Sequence, residues 1–140
     1  MSFLIRVYNA SSIARTPKKK VKRIIEKIFI DENINNCNIN VIYVDDEEIL
    51  KLNRNYLSHN RTTDVITFPM SENKEILEGE IYISAQTAHL QSLDYKVSLR
   101  NELLRLAIHG ALHLTGYKDK RIEDAKTMKI MEDRYLKQII

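Results

Sequence analysis

Two histidines spaced four residues apart are the side chains of this sequence most suited to chemistry. His109 and His113 fall in a segment, residues 99–115, whose largely apolar character is typical of a buried helix. At this spacing both imidazoles lie on one helix face, with Cβ atoms roughly 5–6 Å apart, so both can reach one ion. If the helix ends near Gly116, Asp119 can return a carboxylate to the same point. Two histidines and one carboxylate predict a site for one divalent metal, for which we favour zinc, with a position left open for water.

Two of the three glycines in the chain flank these histidines. Gly110 inside a helix costs roughly 1 kcal/mol relative to alanine, which indicates that a neighbouring backbone or a ligand approaches closely. Gly116 is typical of a left-handed residue that ends a helix. In the HExxH helix of zinc peptidases a glutamate follows the first histidine and acts as general base. Because Gly110 takes that place here, peptidase chemistry is disfavoured.

A metal-free alternative explains the same residues. In it, His109 and His113 are partly buried histidines hydrogen-bonded to the core, and Asp119 is a surface charge beside Lys118 and Lys120. Each histidine on an apolar buried helix needs a polar partner, however, and one ion with a carboxylate satisfies both at once. We therefore favour the metal site.

Hydrophobic periodicity predicts the elements that must position these residues. Strands are predicted at 3–9, 39–44, 64–68 and 80–84, and helices at about 17–31, 45–57, 99–115 and 122–139. The order is β-α-β-α-β-β followed by helices. It predicts a single α+β domain over residues 1–140, with a mixed sheet of about four strands and a central buried helix that carries the histidines.

Composition excludes several classes of protein. With 140 residues, 44% of them hydrophobic and 29% charged, the chain has the balance of a globular domain with one core. The net charge of +3 is too small to identify a nucleic-acid binder by itself. Cys37 is the only cysteine, and no run approaches the roughly 20 apolar residues that span a membrane. We expect a cytoplasmic protein without a membrane partner.

Three segments together resemble the YbeY family of bacterial endoribonucleases. Residues 109–119, HGALHLTGYKD, are similar to its HGxLHLxGYDH motif. Residues 63–69, TDVITFP, preceded by Leu52, Asn53 and Tyr56, are similar to its LNxxYR…TDVLSFP segment, and residues 79–84, GEIYIS, to its GDIxIS strand. The segments occur in the family's order and the resemblance covers residues 40 to 135.

The resemblance implies a metal-dependent endoribonuclease specific for single-stranded RNA. It implies action on the 3′ end of 16S rRNA in the small ribosomal subunit, in rRNA maturation and ribosome quality control, with no DNA partner. His109, His113 and Asp119 fall at the metal-ligand positions. Two rival functions stay open: a non-catalytic ribosome-assembly factor with a structural or vestigial metal site, and a metal hydrolase of another phosphoester or amide.

Two residues depart from the family pattern. Asp119 stands where the family usually has a histidine, which leaves the ligand count intact because carboxylates also bind zinc, iron and manganese. Leu57 stands where the family usually has an active-site arginine, and Arg61, four residues later, is our candidate to supply that guanidinium. Glu102 lies seven residues before His109 on the same helix face and is our candidate general base.

Overall fold

The computed structural model describes residues 2–13, 15–56, 63–70 and 75–139. Within these ranges the strands are β1 (Ser2–Asn9), β2 (Asn36–Val44), β3 (Val65–Pro69) and β4 (Leu77–Ser84). The helices are α1 (Lys18–Asp31), α2 (Asp46–Tyr56), α3 (Ala85–Tyr95), α4 (Leu99–Leu114) and α5 (Ile122–Lys137). No helix in the described part of the chain is long and apolar enough to span a membrane.

The strands form one mixed sheet in the order β1-β2-β4-β3. β1, β2 and β4 are parallel neighbours, and β3 pairs antiparallel with β4 at the edge. The predicted α+β class with a four-stranded mixed sheet is confirmed. Parallel neighbours require a crossover connection, which α1 supplies between β1 and β2.

Helices cover both faces of the sheet, but unequally. The larger core joins inward residues of β1, β2 and β4 to α1, α4 and α5. A smaller cluster, Val44, Ile49, Leu52 and Ile66, places α2 against the opposite face. α4 contacts α1, α3, α5, β3 and β4, so the prediction of a central buried helix is confirmed. His109 and His113 therefore lie on the helix that contacts the most other elements, and these contacts hold its backbone in place.

Several predicted boundaries differ from the structure. β2 begins at Asn36 rather than at residue 39, and β4 begins at Leu77, inside a stretch predicted as a polar connection. Backbone pairing with the neighbouring strands extends both β2 and β4. The polar residues in these extensions did not indicate strand structure. α3 was not delineated from the sequence because its polar and apolar residues lack clear helical periodicity. Its start is set by Ser84, whose hydroxyl accepts a hydrogen bond from the Thr87 backbone N–H.

Gly110 lies where α4 packs closely on the sheet. A Cβ built there would lie 2.5 Å from Cγ2 of Ile81, a fully buried residue of β4. The close neighbour is therefore the side chain of a strand residue, whereas the sequence led us to expect backbone or a ligand. The glycine allows α4 to lie directly on β4.

We expect Gly110→Ala to destabilise the protein by about 1–3 kcal/mol, because overpacking against Ile81 outweighs the roughly 1 kcal/mol gained in helix propensity. Urea denaturation measures the change. The same substitution in an Ile81→Ala background should cost much less, since the clashing methyl is gone. An unfolding free energy that rises on Gly110→Ala in the native background would contradict this packing.

Candidate metal centre

α4 presents His109 and His113 side by side, one turn apart. Their Nε2 atoms are 3.0 Å apart, and the ring planes are inclined at 77°. Both rings are partly buried, with 15% and 25% of the side chains exposed. The i, i+4 spacing therefore brings the two nitrogens to one point at the end of the buried helix, as the sequence predicted.

A tight turn after α4 returns the chain to the histidines. The Tyr117 backbone N–H donates to the Leu112 carbonyl and the Gly116 N–H donates to the His113 carbonyl, which together form a Schellman motif. Gly116 has φ of +113°, a backbone conformation that favours glycine, so its predicted role in ending the helix is confirmed. The turn places Asp119 Oδ2 at 3.2 Å from His109 Nε2 and 3.4 Å from His113 Nε2.

Hydrogen bonds at the other ring nitrogens orient the two imidazoles. His113 Nδ1 lies 2.9 Å from the Tyr117 carbonyl oxygen, which can only accept, so Nδ1 carries a proton. His109 Nδ1 lies 2.6 Å from Glu132 Oε2 and donates to that carboxylate. With Nδ1 as the donor, a neutral ring at either position directs its Nε2 lone pair toward the other ring and toward the Asp119 carboxylate. Such a convergence of acceptors is stabilised by a positive charge between them, which a metal ion or a proton can supply.

The three donor atoms fit a small divalent ion. Their separations of 3.0, 3.2 and 3.4 Å bracket the spacing of about 3.3 Å between ligands in a tetrahedral zinc site with bonds of about 2.0–2.1 Å. The group His109, His113 and Asp119 meets the geometric requirement for a metal site. Two imidazoles and one carboxylate suit zinc, iron or manganese. This arrangement supports the metal over the metal-free alternative.

Glu132 is a site residue that the sequence analysis missed. Its side chain on α5 is almost fully buried, and it binds both His109 and Arg105, the latter through Nη1 at 2.8 Å from Oε1. Burial raises the pKa of Glu132, but its hydrogen bonds to His109 and Arg105 outweigh burial and hold the pKa below its ordinary value. One signal was available: Glu132 occupies a helical position between the buried residues Met128 and Tyr135.

The electrostatic environment of His109 is dominated by carboxylates. Burial lowers the pKa of His109, but the hydrogen bond and charge of Glu132, with the charges of Asp64 and Asp119, raise it above its ordinary value. The site thus stabilises positive charge at this imidazole. A bound cation would benefit from the same field.

Glu102 lies behind the site rather than at its open side. Its side chain is fully buried, and both carboxylate oxygens accept hydrogen bonds from Arg105. Arg105 in turn binds Glu132, so a chain of charged contacts runs from Glu102 through Arg105 and Glu132 to His109. This placement favours a positioning role for Glu102, and its predicted role as general base gains no support from the geometry.

Other residues singled out from the sequence lie around this centre. Asp64 is held by Gln91, whose Nε2 donates to Oδ2 at 3.2 Å, and it acts on His109 through its charge. Tyr117 donates its hydroxyl hydrogen to Glu32 at 2.7 Å. Arg61, our candidate catalytic arginine, and Leu57 lie outside the described residues.

Fold and site together define a class: a small α+β protein with a candidate metal centre of two histidines and one carboxylate on a buried helix. The family model described as Endoribonuclease YbeY matches residues 6–140. The chain belongs to this family, as the resemblance in its motifs predicted.

Individual relatives agree with this assignment. An Endoribonuclease YbeY of Chlorobium phaeobacteroides is 37% identical over 96% of this chain and 96% of its own length. Another, of Flavobacterium psychrophilum, is 42% identical over 81% of this chain and 80% of its own. The solution structure of TM1509 from Thermotoga maritima matches with a TM-score of 0.65 at 28% identity, covering 97% of this chain and 89% of that one. The Chlorobium and Flavobacterium relatives are named as endoribonucleases, so the prediction of an enzyme is confirmed.

Proposed function

We propose that this protein is a metal-dependent endoribonuclease that cleaves single-stranded RNA. We further propose that it acts in the cytoplasm on 16S rRNA of the small ribosomal subunit, in 3′-end maturation and ribosome quality control, and that its resident ion is zinc. The observation that carries the proposal is the convergence of His109 Nε2, His113 Nε2 and Asp119 Oδ2 within 3.4 Å of one another. Family membership supplies the class of reaction.

The chain's own residues prepare the site for phosphodiester hydrolysis. When bound, a divalent ion supplies a positive centre that stabilises charge developing on a phosphate and makes a nearby water a stronger nucleophile. Glu132 and the Tyr117 carbonyl hold the two histidines in the orientation that directs both Nε2 atoms to the open side. Asp119 is 38% exposed, so the donor set is accessible to a substrate.

RNA cleavage with the native protein tests the proposal. The protein loaded with zinc should cleave a single-stranded oligoribonucleotide at least about 100-fold faster than the same sequence in a duplex, because a closed A-form helix does not expose its bases or adapt its backbone to the site. Gel electrophoresis of end-labelled RNA measures both rates. A DNA strand of the same sequence is the matched substrate control, and it should be a poor substrate.

The outcomes separate the rival functions. Preference for a small phosphoester or amide over RNA would favour a different metal hydrolase. Tight binding of small-subunit rRNA without cleavage, in protein that retains its metal, would favour the assembly factor, the function to which the replacement of the family arginine by Leu57 points. Equal cleavage of single strands and duplexes would contradict single-strand specificity.

A further inference from the structure

A cleft of about 730 Å³ opens beside the metal centre. It lies between α4, α5 and the turn that joins α3 to α4, and its walls include the donors His109 and Asp119. This volume falls within the range of about 300–1,000 Å³ found for small-molecule sites. A phosphate held at the metal centre would therefore have the neighbouring part of its own strand at the mouth of this cleft.

One wall of the cleft combines a fixed guanidinium with an exposed aromatic ring. Arg105 is held by Glu102 and Glu132 through three of its five N–H groups, and the other two are not engaged by any residue that the structure describes. The guanidinium carbon lies over the Tyr95 ring, 5.7 Å from its centroid, and 57% of the tyrosine is exposed, so a ligand can stack on the ring beside the guanidinium. A flat ligand can stack on such a tyrosine while its carbonyl oxygen accepts from Arg105.

The charges of the cleft select against a phosphate as its occupant. Glu102 and Glu132 are buried and paired with Arg105, so the exposed charges on the walls are the carboxylates of Asp119 and Asp133 against the ammonium of Lys129. Val97, Met128 and Leu136 add apolar surface. An uncharged, flat, partly polar group suits these walls better than an anion does.

We infer that the cleft binds one unpaired nucleobase of the RNA strand, next to the phosphate at the metal centre, stacked on Tyr95 and hydrogen-bonded to Arg105. This inference rests on the proposed function and deepens it. A base in a duplex is stacked and paired and must be extruded before it can enter, whereas a base in a single strand enters freely. The cleft thereby supplies a physical origin for single-strand specificity.

The binding of a fluorescein-labelled single-stranded RNA dodecamer, followed by fluorescence anisotropy with the metal-loaded protein, tests the inference. Tyr95→Ala should raise the dissociation constant about 10-fold, the usual scale for losing one stacked base. Tyr95→Phe should bind within about 2-fold of the native protein because it keeps the ring. Tyr8→Ala removes a tyrosine of similar exposure, 48%, on β1 and serves as the matched control. Metal content and the melting temperature verify that each variant is intact.

An abasic scan makes the test specific to one base. An abasic nucleotide is placed at each position of the dodecamer in turn, and one position should weaken native binding about 10-fold. At that position the abasic RNA should bind Tyr95→Ala no more weakly than intact RNA does, because the contact is already lost. The inference is overturned if the abasic substitution and Tyr95→Ala weaken binding by factors that multiply when the two are combined. It is also overturned if Tyr95→Ala has the same dissociation constant as Tyr8→Ala. Cleavage of the intact RNA is scored separately: its absence refutes the proposed nuclease but leaves this binding result decisive for the cleft.

Discussion

His113→Ala is expected to reduce bound zinc to background and to abolish RNA cleavage. The substitution removes one of three converging donors, so affinity should fall by more than the 10- to 100-fold typical of losing only an outer hydrogen bond to a ligand. Elemental analysis of protein purified without a metal-binding tag measures the occupancy. The histidine ring is 25% exposed and α4 is anchored elsewhere, so the variant should remain folded.

Asp119 variants decide whether the carboxylate belongs to the donor set. Asp119→Ala should lose zinc as His113→Ala does, whereas Asp119→His should retain it, because imidazole is an equally good ligand in this position. Lys118→Ala changes an adjacent exposed residue and is the matched control. Metal that is lost with His113→Ala but kept with Asp119→Ala would show that Asp119 is a bystander. Full metal occupancy in all variants would refute the site.

Glu132→Gln is expected to weaken zinc binding about 10- to 100-fold without removing any ligand. The carboxylate accepts the Nδ1–H of His109 at 2.6 Å, and this contact both orients the ring and increases the electron density at Nε2. Glutamine keeps the shape of the side chain but is a weaker, uncharged acceptor. Competition with a chromophoric chelator measures the affinity, and the fraction of cleavage recovered at saturating zinc shows whether the site still functions once loaded.

Asp133→Asn is the matched control for Glu132→Gln. Asp133 is the next residue on α5 and lines the same cleft, but its carboxylate faces Lys129 at 3.9 Å instead of His109. Removing its charge should change zinc affinity by less than about 3-fold, since the charge is partly exposed and screened. Equal effects of the two substitutions would mean that Glu132 acts only through its charge and that the contact with His109 contributes nothing specific.

The positioning chain behind His109 explains why two carboxylates are buried and a guanidinium is partly buried where α4 packs on α5. Leaving a carboxylate or guanidinium unpaired in the interior costs several kcal/mol, so Glu102, Arg105 and Glu132 are stable there only as a connected set. Because Glu132 binds His109, these three residues hold the His109 ring in a fixed orientation relative to α4 and α5. Two carboxylates against one guanidinium give the set a net charge of minus one, which offsets the positive charge of an ion at the centre.

The sequence by itself determined the features that depend on residues close together in the chain. The i, i+4 histidines, the helix end at Gly116 and the return of Asp119 all lie within eleven residues, and helical geometry with left-handed glycine is enough to predict their convergence. The β-α-β-α-β-β order and the central apolar helix follow from periodicity in the same local way.

Only the tertiary structure decided which distant side chains complete the site. Glu132 meets His109 across 23 residues because α5 packs on α4, and Ile81 meets Gly110 because α4 lies on β4. In the sequence Glu132 is one of 19 acidic residues. Its burial on α5 is favourable only because Arg105 and His109 on α4 contact its carboxylate. The free energy of a buried charge depends on such long-range partners, which local pattern does not encode.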